Sequence, residues 1–367
     1  MNDYLQDGEL GKLDFGDTSS LSEEKAINIK KFANNIIREA KNRAKPDNCF
    51  FCKKPTTGFC NSHSVPSFLL KNISENGTLY NTNKILQNPI SSHETGINKT
   101  GVFHLICRDC DSKIFKEYET PSNYNTLPTD KMLNQIALKN YLKNIYKRRN
   151  EIELFKIAKS KNIENPFLDD YAYMKLNISL EDLDEYIKDF NQCKKSLNSK
   201  SDNFNLLFYK KLDYIVPYAF QEKIALICDF NDVVINNIYL GPDKHKIKEL
   251  HVCIFPFENS SIIFLFSEKE HNRYRNFKKQ LDRMDLETQL KAINFMVFAY
   301  SEDIFIHSNI EESLLFNENL KKVAQLISDY EGFSEPNIKT AIEGFSFKNM
   351  NSIVNLLSKE FSIRQIK

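Results

Sequence analysis

Cys49-Phe-Phe-Cys52, Cys60-Asn-Ser-His63-Ser-Val-Pro66 and Cys107-Arg-Asp-Cys110-Asp111 hold five of the chain's eight cysteines. Two Cys-x-x-Cys pairs in one chain have the spacing of a tetrahedral zinc site. Each pair can sit on a tight turn and offer two thiolates, and one ion then ties the two turns together. Cys49, Cys52, Cys107 and Cys110 are the expected ligands. Four thiolates close the coordination shell, so such a zinc is structural and leaves no open position for substrate. The competing reading, a set of buried free thiols, does not account for two evenly spaced pairs. The gap between the pairs is longer than in a compact zinc ribbon, which predicts an insertion, and His63 lies inside it. Cys60-x-x-His63 is itself ligand spacing, so His63 also has a structural reading as part of a zinc shell.

Upstream of the first pair, residues 1–19 are polar and acidic and are expected to form a flexible tail. Ser20-Leu-Ser-Glu23 reads as a capping box. A helix should follow to about Arg43, with Ile29, Phe32, Ile36 and Ile37 on one stripe, and Pro46 ends it. Its last turns are basic, with Arg38, Lys41, Arg43 and Lys45. They read either as a solvated face or as a phosphate-contacting helix end.

Downstream, residues 102–106 read as a short strand delivering Cys107, and 111–118 as a helix leaving the second pair, with Asp111 a natural capping residue. A linker at 121–128 leads to a helix over 130–157. On it Lys139, Lys143 and Lys147 lie four apart on one ridge, with Arg148 and Arg149 beyond. The ridge reads as a solvated face or as a track for a phosphate backbone.

Residues 158–205 are polar, with one amphipathic helix at 180–190. Strands are then expected at 213–220, 223–229, 233–240, 249–257 and 261–268. Helical periodicity returns at 286–299, 312–330, 338–343 and 349–361. The class is therefore α+β. The expected division is a zinc-binding domain with flanking helices over 20–160, a linker with a short helix over 161–205, and a C-terminal mixed α+β domain over 206–367. His251 alternates out of an apolar strand and reads as a surface or paired histidine. Cys193, Cys228 and Cys253 read as packing residues.

The 367 residues suffice for two domains, and an apolar fraction of 41% argues against a disordered chain. A formal net charge of +1 means that any nucleic-acid partner must be met by local charge. The N-terminal residues lack the apolar core of a secretory signal, and the longest apolar run, 262–266, is too short to span a bilayer. The expected setting is the reducing cytoplasm without membrane association, where paired cysteines bind metal rather than each other.

With the cysteine pairs in place, residues 49–119 resemble the HNH endonuclease superfamily, a treble-clef or ββα-metal zinc module. The resemblance rests on Ser62-His63-Ser64-Val65-Pro66 between the two pairs. It rests also on Ile106-Cys107-Arg108-Asp109-Cys110-Asp111-Ser112-Lys113 closing the region. The resemblance implies metal-dependent cleavage of nucleic-acid phosphodiesters, DNA foremost, with a role in phage defence. His63 takes the place of the general base. Asp111 takes the last motif position, as ligand of a catalytic Mg²⁺ or Mn²⁺. Arg108 and Lys113 would hold phosphate oxygens, with Lys139, Lys143 and Lys147 extending the nucleic-acid track. Two positions depart from the family. Ser62 stands where an acidic metal ligand precedes the histidine, and Val102 stands at the middle asparagine. The C-terminal domain would then recognise a protein partner or a ligand. The alternative function is a non-catalytic, zinc-stabilised module that binds nucleic acid or protein.

Overall fold

Helix α1 (Glu23–Ala44) leads into the first cysteine pair, and strand β1 (Ser62–His63), helix α2 (Ser67–Asn72) and strands β2 (Thr78–Asn81), β3 (Glu94–Gly96) and β4 (Val102–Phe103) follow. The second pair opens helix α3 (Arg108–Ile114), and two long helices, α4 (Asp130–Ser160) and α5 (Pro166–Ser196), come next. Then come β5 (Phe204–Leu212), β6 (Tyr218–Ile224), β7 (Leu250–Pro256) and β8 (Ser261–Glu268), followed by α6 (Arg275–Leu281) and α7 (Leu286–Tyr300). Strand β9 (Phe305–Ile306) and helices α8 (Glu312–Leu315), α9 (Glu318–Tyr330) and α10 (Ile338–Phe345) close the chain. This computed structural model describes residues 23–56, 58–82, 94–160, 166–197, 203–240, 244–301, 303–315, 317–330 and 337–363. The expected acidic tail and all but Glu23 of the capping box lie outside them. The architecture is mixed α+β. Among the described residues no helix is long and apolar enough to cross a membrane.

The chain divides into two compact units, and each interrupts the other in sequence. The first comprises Met1–Ser62, Val102–Lys116 and Leu138–Ser199; the second comprises His63–Gly101, Glu117–Ala137 and Lys200–Lys367. This differs from the expected division at 160 and 206. Of the stretch between the cysteine pairs, His63–Gly101 belongs to the second unit. Its strands β2 and β3 join β5–β9 in one seven-stranded sheet, ordered β3-β2-β9-β6-β7-β8-β5. Every neighbouring pair in that sheet is antiparallel.

In the first unit, Ile36, Ile37 and Ala40 of α1 pack with Leu154, Phe155 and Ile157 of α4, and Leu176 of α5 lies against them. Of the stripe expected on α1, Ile36 and Ile37 meet α4, whereas Phe32 is exposed. Arg149 donates through Nε and Nη2 to the Ala44 carbonyl at 3.0 and 2.7 Å. It caps the last turn of α1, where carbonyls lack helical partners. Residues 180–190, expected to be an isolated helix in a linker, are part of the 31-residue α5. Phe190 of α5 packs edge-on against Phe50 and Phe51 between the first two cysteines, at 5.1 and 6.4 Å.

In the second unit, β7 and β8 fall within a residue of the sequence expectation. Leu250, Val252, Ile254, Ile263 and Leu265 join Phe295, Val297 and Phe298 of α7 in one large core. Both faces of β7 are buried, so His251 is not at the surface but 1% exposed. The strands expected at 223–229 and 233–240 do not form as such. Asp229 Oδ1 instead accepts from the backbone N–H groups of Asn231 and Val233, at 2.9 and 3.1 Å. Asp232 turns left-handed at φ 61°, and the buried Asn236 side chain bonds the backbone of Leu226 and Lys248. Side chains that satisfy backbone groups locally compete with a ladder. The helix expected at 349–361 is likewise replaced by short 3₁₀ turns at Phe347–Ser352 and Lys359–Phe361. The linker at 121–128 holds a 3₁₀ turn, from which Tyr124 packs on Phe255 and Phe257.

Candidate metal centre

The first cysteine pair sits on a tight turn. Lys53 donates to the Cys49 carbonyl at 2.8 Å, Cys49 donates to the Lys54 carbonyl at 2.9 Å, and Lys53 turns left-handed at φ 63°. Phe50 N–H bonds the Leu105 carbonyl and Cys60 N–H the Ile106 carbonyl, both at 2.8 Å. These bonds hold the first turn beside the chain that carries Cys107. The sulfurs of Cys49, Cys52, Cys107 and Cys110 consequently lie within 4.8 Å of one another. Tetrahedral thiolates 2.3 Å from a zinc ion stand about 3.8 Å apart, so the cluster fits a structural metal such as zinc.

Electrostatics at the cluster agree. Burial by itself raises the Cys49 thiol, but backbone N–H groups of Cys107, Cys52 and Phe51 outweigh it and bring the thiol down to about 7. The Cys107 N–H reaches the Cys49 sulfur at 3.3 Å. Cys110 goes the other way, raised by burial and by the neighbouring sulfurs of Cys107, Cys52 and Cys49. Four sulfurs this close repel one another as thiolates, and a bound dication is what allows all four to ionise.

Cys60 is outside this cluster. Its thiol donates to Asp111 Oδ2 at 3.5 Å. Burial and the Asp111 charge push it up to about 11, which keeps the proton in place. Helix α3 begins at Arg108 with Cys107 as its N-cap, so Asp111 lies one turn inside the helix and does not cap it. Its Oδ1 accepts from Ser62 Oγ at 2.6 Å and from Lys139 Nζ at 3.2 Å. Burial alone would raise the Asp111 carboxyl, yet the Lys139 ammonium, the Ser62 hydroxyl and Cys60 hold it below the usual carboxylate range.

That arrangement does not fit a catalytic divalent ion. Asp111 is an ion-pair partner of Lys139, and the neighbouring donors are a hydroxyl, a thiol and an ammonium. Mg²⁺ asks for near-octahedral oxygen ligands at about 2.0–2.1 Å. A dication about 4 Å from an ammonium is repelled by ~8 kcal/mol at an effective dielectric constant of about 20, twice the figure for unit charges.

The remaining site residues separate. His63 belongs to the second unit, where its Nε2 lies 3.1 Å from the Ile97 carbonyl. A carbonyl only accepts, so Nε2 carries the proton and the lone pair of the neutral ring is on Nδ1. Ser64 donates its N–H to the Gly101 carbonyl at 2.8 Å. Gly101 sits at φ +62°, where a Cβ would come within 2.6 Å of Phe305 and 2.7 Å of Ser64 Oγ. Arg108 and Lys113 are exposed on α3.

The ridge on α4 lies largely inside the unit. Lys139 is 1% and Lys143 8% exposed, and Lys147 is half-buried. Arg148 pairs with Glu151 and Asp182 at 2.5 and 2.7 Å, and Arg149 caps α1. Sequence reasoning missed both the acid that Lys139 answers, 28 residues upstream, and a polar pair at the end of α1. In that pair His104 Nε2 lies 3.0 Å from Asn61 Oδ1. Burial, with the Lys45 and Lys41 charges, lowers the His104 pKa.

Comparison of the chain with protein-family models, with curated proteins and with solved structures returned no match.

Proposed function

We propose that the first unit is an HNH-like, treble-clef-type zinc module that binds nucleic acid, and that its task is binding rather than hydrolysis by a divalent ion. The observation that carries this reading is the cluster at the end of α1. Lys41 and Lys45 come close enough to His104 for their charges to depress its protonation, with Asn61 beside the ring. Cations next to a polar pair suit a phosphate oxygen, whose binding displaces condensed counterions. Arg108 and Lys113, exposed at the second cysteine turn, add phosphate donors of the same kind. The order of a cysteine turn, strand β1 ending in His63, strand β4 and the cysteine-borne α3 supports the HNH-like description.

The test is fluorescence anisotropy with short duplex DNA and single-stranded RNA over a range of salt. Lys41→Gln with Lys45→Gln should weaken binding to all sequences alike and reduce the salt slope by about 2. No binding by the wild type, or an unchanged slope in the double variant, removes the reading.

A second reading, phosphodiester cleavage with His63 as general base, is favoured by one observation. The Ile97 carbonyl fixes the ring with its lone pair on Nδ1, the state a base requires. If the wild type cleaves plasmid or RNA, His63→Ala should lower the rate about 10²–10⁴-fold with zinc content and melting temperature unchanged. Wild-type protein that leaves both intact ends this second reading and leaves the first standing.

A further inference from the structure

Asp111 is met by three donors, each from a different place in the first unit. Ser62 Oγ comes from β1, Cys60 Sγ from the loop before it, and Lys139 Nζ from α4. The lysine is the unusual member. A side chain of this length normally keeps its ammonium in water, yet that of Lys139 is 1% exposed. Its Nζ lies 4.0 Å from the centroid of the Phe115 ring, just past the end of α3. A face of π density on one side and a carboxylate on the other form a fitted seat for a single monovalent cation.

We propose that the Lys139 ammonium is the resident cation of the Asp111–Ser62–Cys60 cluster, standing where the HNH resemblance calls for a divalent ion, and that this cluster binds none. The cluster offers a divalent ion one carboxylate and one hydroxyl, against the six oxygens it prefers. Entry of such an ion would have to displace an ammonium that is buried and ion-paired where it stands. The charge of Asp111 is therefore answered within the chain, and the second cysteine turn is locked to α4 through α3.

Two measurements on the full-length, zinc-loaded protein decide this. The first is Mn²⁺ binding followed by electron paramagnetic resonance, in wild type and in Asp111→Asn, whose amide can still accept from Ser62 and Lys139. Equal Mn²⁺ binding by the two at millimolar ion is expected. A wild-type Mn²⁺ site that Asp111→Asn abolishes overturns the proposal. The second is a stability cycle. Lys139→Met leaves a half-buried carboxylate without its cation and should lower the melting temperature by roughly 10 °C. Adding Asp111→Asn to it removes both charges and should recover most of that loss. A Lys139→Met protein that melts like the wild type, or a double variant no more stable than it, also overturns the proposal. If Lys139→Met fails to fold, the Mn²⁺ comparison still decides.

Discussion

The two units reach stability by different means. The second is built around a large apolar core, in which the aromatic side chains Phe230, Phe277, Phe295 and Phe347 pack on one another at 4.1–5.9 Å. Among the described residues, the first has an apolar cluster between α1 and α4, and Phe103, Leu105, Ile106, Phe115, Leu142 and Ile145 are buried as well. It adds a four-sulfur centre, a buried lysine paired with a half-buried aspartate, and an arginine cap. A unit that sets such bonds beside its apolar contacts leans in part on their specific geometry. It should therefore fail abruptly when one of them goes, whereas the sheet unit should lose stability in proportion to what is removed.

The sharpest break of that contrast is at the sulfurs. Cys107→Ser should abolish tight zinc binding, because metal binding is the folding free energy of such a site, on the order of 10 kcal/mol or more. Mass spectrometry under native conditions should find one zinc per wild-type chain and none in the variant. Hydrogen exchange should become fast through 49–60 and 102–116 while β7 and β8 stay protected. Equal protection of both regions in the variant would mean that the first unit does not depend on its metal.

A smaller effect is expected at Gly101 in the second unit. Gly101→Ala puts a methyl into the space of Phe305 and Ser64 at a left-handed position. Backbone strain and overpacking together should cost about 2–4 kcal/mol. Chemical denaturation should show a graded shift of midpoint with zinc retained. Zinc loss in Gly101→Ala would show that the units are not separable in the way the comparison assumes.

Local signals carried much of this fold. The cysteine spacing named the four residues that converge, and helical periodicity located α1 and α4. Alternating and continuous apolar runs located β7 and β8. The rest depended on partners far along the chain. Lys139, Lys143 and Lys147 looked like Lys41 and Lys45 in sequence, being cations spaced along a helix. What sets Lys139 apart is its burial against Asp111 and the Phe115 ring. Nothing within a turn of Lys139 reports that pairing. Asn236 and Asp229 hid in the same way, since each breaks a strand by satisfying backbone groups. The membership of β2 and β3 in the sheet was not legible either, because both are short and β2 pairs with β9, which comes late in the sequence.

His251 offers the finest discrimination between the units, through pH. Its ring is buried in the sheet, stacked on Phe266 at 4.5 Å and edge-on to Phe204 at 6.1 Å. Burial, then the charge of Lys223, lowers its pKa to about 3; Glu268 opposes this and His271 adds to it. In the unfolded chain the same imidazole titrates near 6.5. Between about 3 and 6.5 the unfolded state therefore binds the extra proton, and stability falls as the pH falls. The contribution of His251 is fully present above about 6.5 and is lost progressively on acidification through that window. The loss should be about 2 kcal/mol at pH 5, from ~1.5 pH units at ~1.4 kcal/mol each. His251→Phe keeps an aromatic ring against Phe266 and removes the proton site. Its stability should match or exceed that of the wild type at pH 7.5, and its advantage should grow by about that amount at pH 5. Acid also protonates the cysteine ligands of the first unit, so the quantity to compare is the difference between variant and wild type at each pH, in which that loss cancels. A difference that stays constant from pH 7.5 to 5 would mean that His251 is accessible to protons in the folded sheet, and that the second unit is less sealed than its core implies.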